Sequence, residues 1–323
     1  MRKENLINRF FKFVIPVLLF ALKTEAQELR TSLLQFPLNA LPLNPAYTGS
    51  VGTTSFEATY FGNFVSGNLL SRSVLASLHG RAGAADKTAW GGLMQFYQVA
   101  NFRELNIRPS FAYLTDAGTG TVAFGAALGI GWFDFEEDVF FSEPGSFPTL
   151  DGGLGVYYFA ERYFVGASVL SIFEKGFVKK DEFTPVVLRE NPYHLAAGFI
   201  KRLNDQIQLK PTALLKFSNF YRFPEKSPAT EDLTAWSVDF QATIVVDESY
   251  WVGLLYGFTD PSAGSKTNRL SVSVTYTYDR FHLTYGVQRN SRRDNLVELP
   301  VSHLISAGYD FFPGVEEMPV RYF

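Results

Sequence analysis

The feature that most constrains this chain is a recurring run of about ten residues in which apolar side chains alternate with small or polar ones. In residues 120–133, Val122, Phe124, Ala126, Leu128, Ile130 and Trp132 fall on one face, with Thr121, Ala123, Gly125, Ala127, Gly129 and Gly131 on the other. A period of two is that of an extended strand with two unlike faces. Residues 270–278 repeat it, with Val272, Val274, Tyr276 and Tyr278 opposing Ser271, Ser273, Thr275 and Thr277. Residues 235–246 set Trp236, Val238, Phe240, Ala242, Ile244 and Val246 against Ser237, Asp239, Gln241 and Thr243. Residues 281–288 carry His282, Thr284, Gly286 and Gln288 on the polar face. About ten tilted residues are what a strand needs to cross the hydrocarbon of a membrane.

Fourteen such strands are expected, beginning near Gly52, Leu70, Thr88, Arg103, Thr119, Asp151, Tyr163, Pro192, Gln206, Thr234, Ser249, Thr267, Phe281 and Val301. The connections separate a membrane barrel from a soluble sandwich. After even strands they are short: 84–87, 116–118, 161–162, 204–205, 247–248 and 279–280. After odd strands they are long: 62–69, 134–150, 172–191, 218–233, 259–266 and 289–300, with 100–102 the exception. Short turns at one end and long loops at the other are the asymmetry of outer-membrane barrels, whose short turns are periplasmic. The expected fold is therefore an all-β transmembrane antiparallel barrel over residues 52–312, with both termini periplasmic and a tail at 313–323.

Residues 1–26 read as a signal peptide. Arg2, Lys3, Arg9 and Lys12 precede the apolar run 13–22, and Thr24-Glu25-Ala26 offers small residues for cleavage before Gln27. The run is much shorter than the ~18–20 residues a spanning helix needs. This segment is net basic, so the remainder is more acidic than the whole chain's net charge of −3. That balance argues against nucleic acid as a partner. With no Cys, the chain offers no disulfide, thiolate metal site or lipoprotein anchor. The 32 Phe, 16 Tyr and 4 Trp suit a lipid-facing wall. Trp90, Trp132, Trp236 and Trp251 sit at strand ends, where interfacial girdles form. Trp251 points inward by parity, leaving Tyr250 as the girdle residue there.

Gln35-Phe36-Pro37-Leu38-Asn39 and Leu43-Asn44-Pro45-Ala46-Tyr47-Thr48-Gly49-Ser50 resemble the opening of the PorP/SprF family, with Asn39-Ala40 where that family has its first Asn-Pro. Trp90-Gly91-Gly92-Leu93, the stretch 150–157, Tyr163–Ser168, Tyr193–Gly198 with Leu209-Lys210-Pro211, and Ser302–Tyr309 continue the resemblance in order. It implies an outer-membrane protein of the type IX secretion system. Its implied partners are the C-terminal domain of a secreted adhesin and other secretion components, in some bacteria serving gliding motility.

Asn44-Pro45-Ala46 has a physical reading of its own. Asn accepts backbone N–H bonds from residues ahead and Pro fits the first turn position, which makes an Asx-turn or a helix N-cap. FadL-type transporters, also fourteen-stranded, carry a similar Asn-Pro-Ala near their N-terminal hatch. Residues 27–51, with Asn44, Pro45, Ala46, Tyr47 and Gly49 at their centre, are thus expected either to plug the barrel or to form a periplasmic tail. The small face Ala123, Gly125, Ala127, Gly129 and Gly131 either receives something close or only relieves crowding at a bend. Inward charges suggest two pairs, Lys210 with Asp239 and His282 with Asp310.

Aromatics in the long loops mark candidate partner contacts: Phe135, Phe140 and Phe141 in the first, Phe177 and Phe183 in the second, Tyr221 and Phe223 in the third. Asp134, Glu136, Glu137, Asp138 and Glu143 make the first loop acidic without EF-hand spacing, so no metal or cofactor is expected. Ser302 and His303 are strand neighbours facing opposite ways, which rules them out as a nucleophile–base pair. No phosphate loop, zinc spacing or paired-carboxylate motif appears. The expectation is a non-enzymatic adhesin-binding barrel, with a FadL-like channel for hydrophobic small molecules as the alternative.

Overall fold

A strand in lipid has no water to satisfy its edges, so a sheet of spanning strands has to close on itself. The computed structural model describes residues 39–82, 87–100, 102–136, 145–172, 174–176, 192–218, 235–261, 266–292 and 300–311. The strands are β1 (Thr54–Val65), β2 (Asn68–Arg81), β3 (Thr88–Val99), β4 (Phe102–Ala117), β5 (Gly120–Phe135), β6 (Gly145–Phe159), β7 (Tyr163–Val169) and β8 (Glu174–Gly176). There follow β9 (Pro192–Phe199), β10 (Lys201–Arg202), β11 (Ile207–Ser218), β12 (Ala235–Val246), β13 (Tyr250–Pro261), β14 (Thr267–Tyr278), β15 (Phe281–Arg292) and β16 (Val301–Phe311).

Neighbours in sequence are neighbours in space. β1 pairs antiparallel with β16 from Thr54↔Phe311 to Phe64↔Val301, and β9 joins β7 to β11. β8 resumes the pairing of β7 with β6, and β10 resumes that of β9 with β11. These two pieces add no staves, so the sheet is a closed barrel of fourteen. The strand starts agree with the alternation to within two residues except in β6, which begins at Gly145 rather than near Asp151.

The wall is inverted relative to a water-soluble protein. Ser71, Thr243, Ser271, Thr284, Gln288 and Ser306 are among the buried side chains, whereas Phe124, Phe240, Leu254, Tyr256 and Ile305 are exposed. Apolar residues outward and polar residues inward fit lipid outside and a polar lumen inside. Trp90, Trp132 and Trp236 face outward at strand ends. Trp251 is turned inward and buried, and Tyr250 packs against Tyr276 in its place.

One connection is shorter than its sequence suggests. The chain between β1 and β2 is the two-residue turn Ser66-Gly67, at φ 49° and 83°, not a loop over 62–69. Paired positive φ values match the right-handed twist of the flanking strands, so β1 and β2 run on to the turn. With 100–101 between β3 and β4, two of the odd connections are short, and they are adjacent. The long connections all follow β5, β7, β11, β13 and β15.

Candidate functional site: the lumenal N-terminal segment

Residues 39–49 are all buried, and the wall side chains they touch, among them Ser77, His79, Ser110, Tyr157 and Ser168, are inward-facing. This segment therefore lies inside the barrel. Asn44 is the N-cap of a short 3-10 turn, Pro45–Tyr47, with Pro at its first positions. Its Oδ1 accepts from the Ala46 N–H at 2.9 Å, while Nδ2 donates to the Val156 carbonyl at 3.1 Å and the Ala167 carbonyl at 3.4 Å. One side chain thus shapes the turn and ties it to both β6 and β7.

Further contacts carry the segment around the wall. Ser168 donates to the Leu43 carbonyl at 2.5 Å, Thr48 Oγ1 meets Ser110 Oγ at 2.9 Å, and Asn39 Nδ2 donates to Ser77 at 2.7 Å. The Gly49 N–H donates to His79 Nδ1 at 3.1 Å, and Arg81 Nε donates to the Gly49 carbonyl at 3.1 Å. The Tyr47 ring reaches across to His79 and Tyr157, at centroid distances of 5.3 and 5.6 Å. Ala40, Leu41, Leu43, Ala46 and Tyr47 share an apolar cluster with Ala89, Ala112, Leu114, Ala123, Tyr157, Phe164 and Leu214. Much of the lumen's apolar burial is therefore built around this segment.

Missing side chains make the seat. A Cβ on Gly125 would collide with the backbone of Pro45 and Ala46, and one on Gly155 with Asn44 Oδ1. A Cβ on Gly166 would stand 3.0 Å from Asn44 Nδ2. Glycines on three neighbouring strands thus form a hollow in which Asn44-Pro45-Ala46 rests. Gly49 itself adopts φ 74°, a left-handed conformation that glycine takes without steric cost, and its α-carbon sits against Ala89.

Gly129 serves a different purpose. A Cβ there would collide with the Asp151 carboxylate, which crosses β5 from β6 to meet Arg108 of β4 at 2.9 Å. The same arrangement recurs at Gly257 of β13, over which Asp239 of β12 meets Arg269 of β14 at 2.8 Å. Arg269 also donates to Thr259 at 2.5 Å, and both charged side chains are under 5% exposed. Lys210 does not pair with Asp239. Register sets Lys210 beside Thr243 and Asp239 beside Leu214, four residues further along β11, so Lys210 lies over the Trp251 ring at 5.1 Å. His282 and Asp310 are both buried inward, with the His282 ring over Gly308, two residues from Asp310.

Phe135 is the last residue of β5. Phe140, Phe141, Phe177, Phe183, Tyr221 and Phe223 lie outside the described residues, as do 1–26, 27–38 and 313–323. Ser302 Oγ turns inward to Asn63, while His303 turns outward to the Tyr285 hydroxyl at 2.8 Å. Among the described residues no group of three or more His, Asp or Glu could hold a metal ion.

Residues 25–309 match the family described as "Type IX secretion system membrane protein PorP/SprF". The chain belongs to the PorP/SprF family. Among solved structures it is similar to the CymD monoaromatic hydrocarbon channel, at 12% identity and a TM-score of 0.57, covering 87% of this chain and 95% of that one. It is also similar to the TodX deltaS2S3 mutant monoaromatic hydrocarbon channel, at 10% identity and TM-score 0.51, covering 84% and 94%. At such identities the likeness is one of fold. No curated protein matches the chain. This PorP/SprF protein is thus an outer-membrane β-barrel of the type IX secretion system, and its opening motif Asn44-Pro45-Ala46-Tyr47 lies in the lumen.

Gly155, Gly166, Ser168 and His79 complete the seat and are not legible as such in the sequence. Their one signal is inward parity on strands that turn out to flank the segment. Asn44→Ala removes three hydrogen bonds. At a net of about 0.5–1.5 kcal/mol each, docking should weaken by roughly 1.5–4.5 kcal/mol. Limited proteolysis of the detergent-solubilised barrel should then cut within residues 39–50 at least ten-fold faster than in wild type, and Asn44→Asp, which keeps the cap but turns a buried carboxylate oxygen on the Val156 and Ala167 carbonyls, should cut at least as fast.

Proposed function

We propose that this barrel binds the C-terminal domain of a secreted adhesin at the outer membrane and supports its delivery to, or anchoring at, the cell surface. Membership of the type IX secretion family over residues 25–309 carries the reading. The lumenal segment supports it, because a barrel occupied by its own N-terminus suits a docking platform better than an open pore. In this reading residues 1–26 are a cleaved signal peptide, the turns after even strands are periplasmic, and the long connections face outward as the partner surface. The protein performs no catalysis of its own.

The test is affinity purification of the tagged barrel from the outer membrane of its native host. A large adhesin should co-purify, and should be lost when residues 219–234 are replaced by a two-residue turn while the barrel remains folded, as judged by heat-modifiable migration. A barrel that purifies without protein partners but with bound apolar small molecules would overturn this reading in favour of a FadL-like channel.

A further inference from the structure

Charged side chains are costly on a lipid-facing wall, least so at its interfaces. One row of outward positions is polar across most of half the barrel. Register aligns His303 of β16 with Gly62 of β1, Gly62 with Arg72 of β2, Arg72 with Gln98 of β3, Gln98 with Arg103 of β4, and Arg103 with Asp134 of β5. Immediately below lie Ile305, Tyr60, Val74, Phe96, Leu105 and Trp132, two residues along each strand. On β3–β5 the row is therefore the upper boundary of the apolar band, at the end that carries the long loops, while on β16, β1 and β2 one more outward apolar residue (Val301, Phe64 and Leu70) lies above it.

Arg72 is held ready there. Its Nε and Nη2 both donate to Gln98 Oε1, at 3.0 and 2.8 Å, and its guanidinium lies 6.0 Å from the centre of the Phe96 ring. Arg103, two strands away, makes among the described residues an exposed pair with Glu136, with both side chains about half exposed. Such a pair contributes little and yields readily. Two strand spacings put the Arg72 and Arg103 backbones about 10 Å apart, within reach of one phosphate for two long side chains. The two short connections, 66–67 and 100–101, fall directly above this row. The chain that joins β1 to β2 and β3 to β4 is thus short above Arg72 and Gln98, whereas the connections after β5, β7, β11, β13 and β15 are longer.

We infer that Arg72 and Arg103, set either side of Gln98, form a binding site for the phosphate of an outer-leaflet glycolipid. The inference rests on the long-loop end facing out. Asp134 and Glu136 border the site at Arg103, so Arg72 carries more of the attraction and a polyanionic headgroup is centred towards β1–β3.

Native mass spectrometry of the full barrel in detergent, titrated with diphosphorylated lipid A, tests it. Wild type should retain one lipid, and the combined Arg72→Ala and Arg103→Ala variant should bind about ten-fold more weakly or less, with unchanged heat-modifiable folding. Monophosphorylated lipid A should bind less tightly than the diphosphorylated form. Displacement by millimolar inorganic phosphate alone would reassign the site to free phosphate and overturn the lipid assignment. Binding unaltered in the double variant would overturn the site itself. Loss on Lys201→Ala with Arg202→Ala, at the short-turn end, would instead overturn the orientation on which the inference rests.

Discussion

Replacing Gly125 and Gly155 together by leucine is expected to drive Asn44-Pro45-Ala46 off the wall and raise the conductance of the reconstituted barrel. The new side chains would occupy the space of the Pro45–Ala46 backbone and of Asn44 Oδ1. Overpacking costs about 1–3 kcal/mol per site. Two sites therefore shift the docked–undocked equilibrium by about 30-fold to 10⁴-fold, at a factor of ten per 1.4 kcal/mol. Leucine suits an extended strand at least as well as glycine, so the wall itself should still fold. The measurement is single-channel conductance in planar bilayers, with excision of residues 27–50 as the reference for an emptied lumen. If both proteins conduct like wild type, the segment does not close the barrel. If only the excision conducts, the glycine hollow is not what holds the segment.

The second large effect concerns the tie across β13. Asp239→Leu leaves Arg269 buried beside a single hydroxyl, Thr259. Removing one partner of a buried pair costs about 3–5 kcal/mol, whereas replacing both by apolar side chains is often close to neutral. The urea midpoint of the barrel in liposomes should therefore fall sharply for Asp239→Leu and recover most of the loss in the combined Asp239→Leu and Arg269→Met variant. Equal losses in the single and combined variants would show that the pair itself stabilises the wall. Gly257→Ala should mimic the single variant in part, because its methyl would strike Asp239.

The strands were legible because period-two alternation is a local property, and lipid outside leaves one apolar face no alternative direction. The faces of β5, β12 and β14 follow from it. The same logic read Trp251 as inward and separated Ser302 from His303. The 62–69 stretch misled for a local reason. Asn63, Ser66, Gly67 and Asn68 look like loop, yet Asn63 is an inward strand residue held by Ser71 and Ser302, and only Ser66-Gly67 turns.

What sequence alone determined was the class of wall, its strand order and which residues face in, since these need only periodicity and connection length. It also marked Asn44-Pro45-Ala46 as a turn, because the cap and the fixed proline φ act within three residues. Whether that turn lies inside or outside the barrel was decided only by tertiary structure. Its seat is Gly125, Gly155 and Gly166 on three strands, with carbonyls of Val156 and Ala167, over a hundred positions away. The inward charges were settled in the same way. Parity places Lys210, Asp239 and Arg269 in the lumen, but only register and the bare position at Gly257 pair Asp239 with Arg269 and leave Lys210 to Trp251. Periodicity fixes the direction of a side chain. Its height, and so its partner, is fixed by how the strands slide against one another.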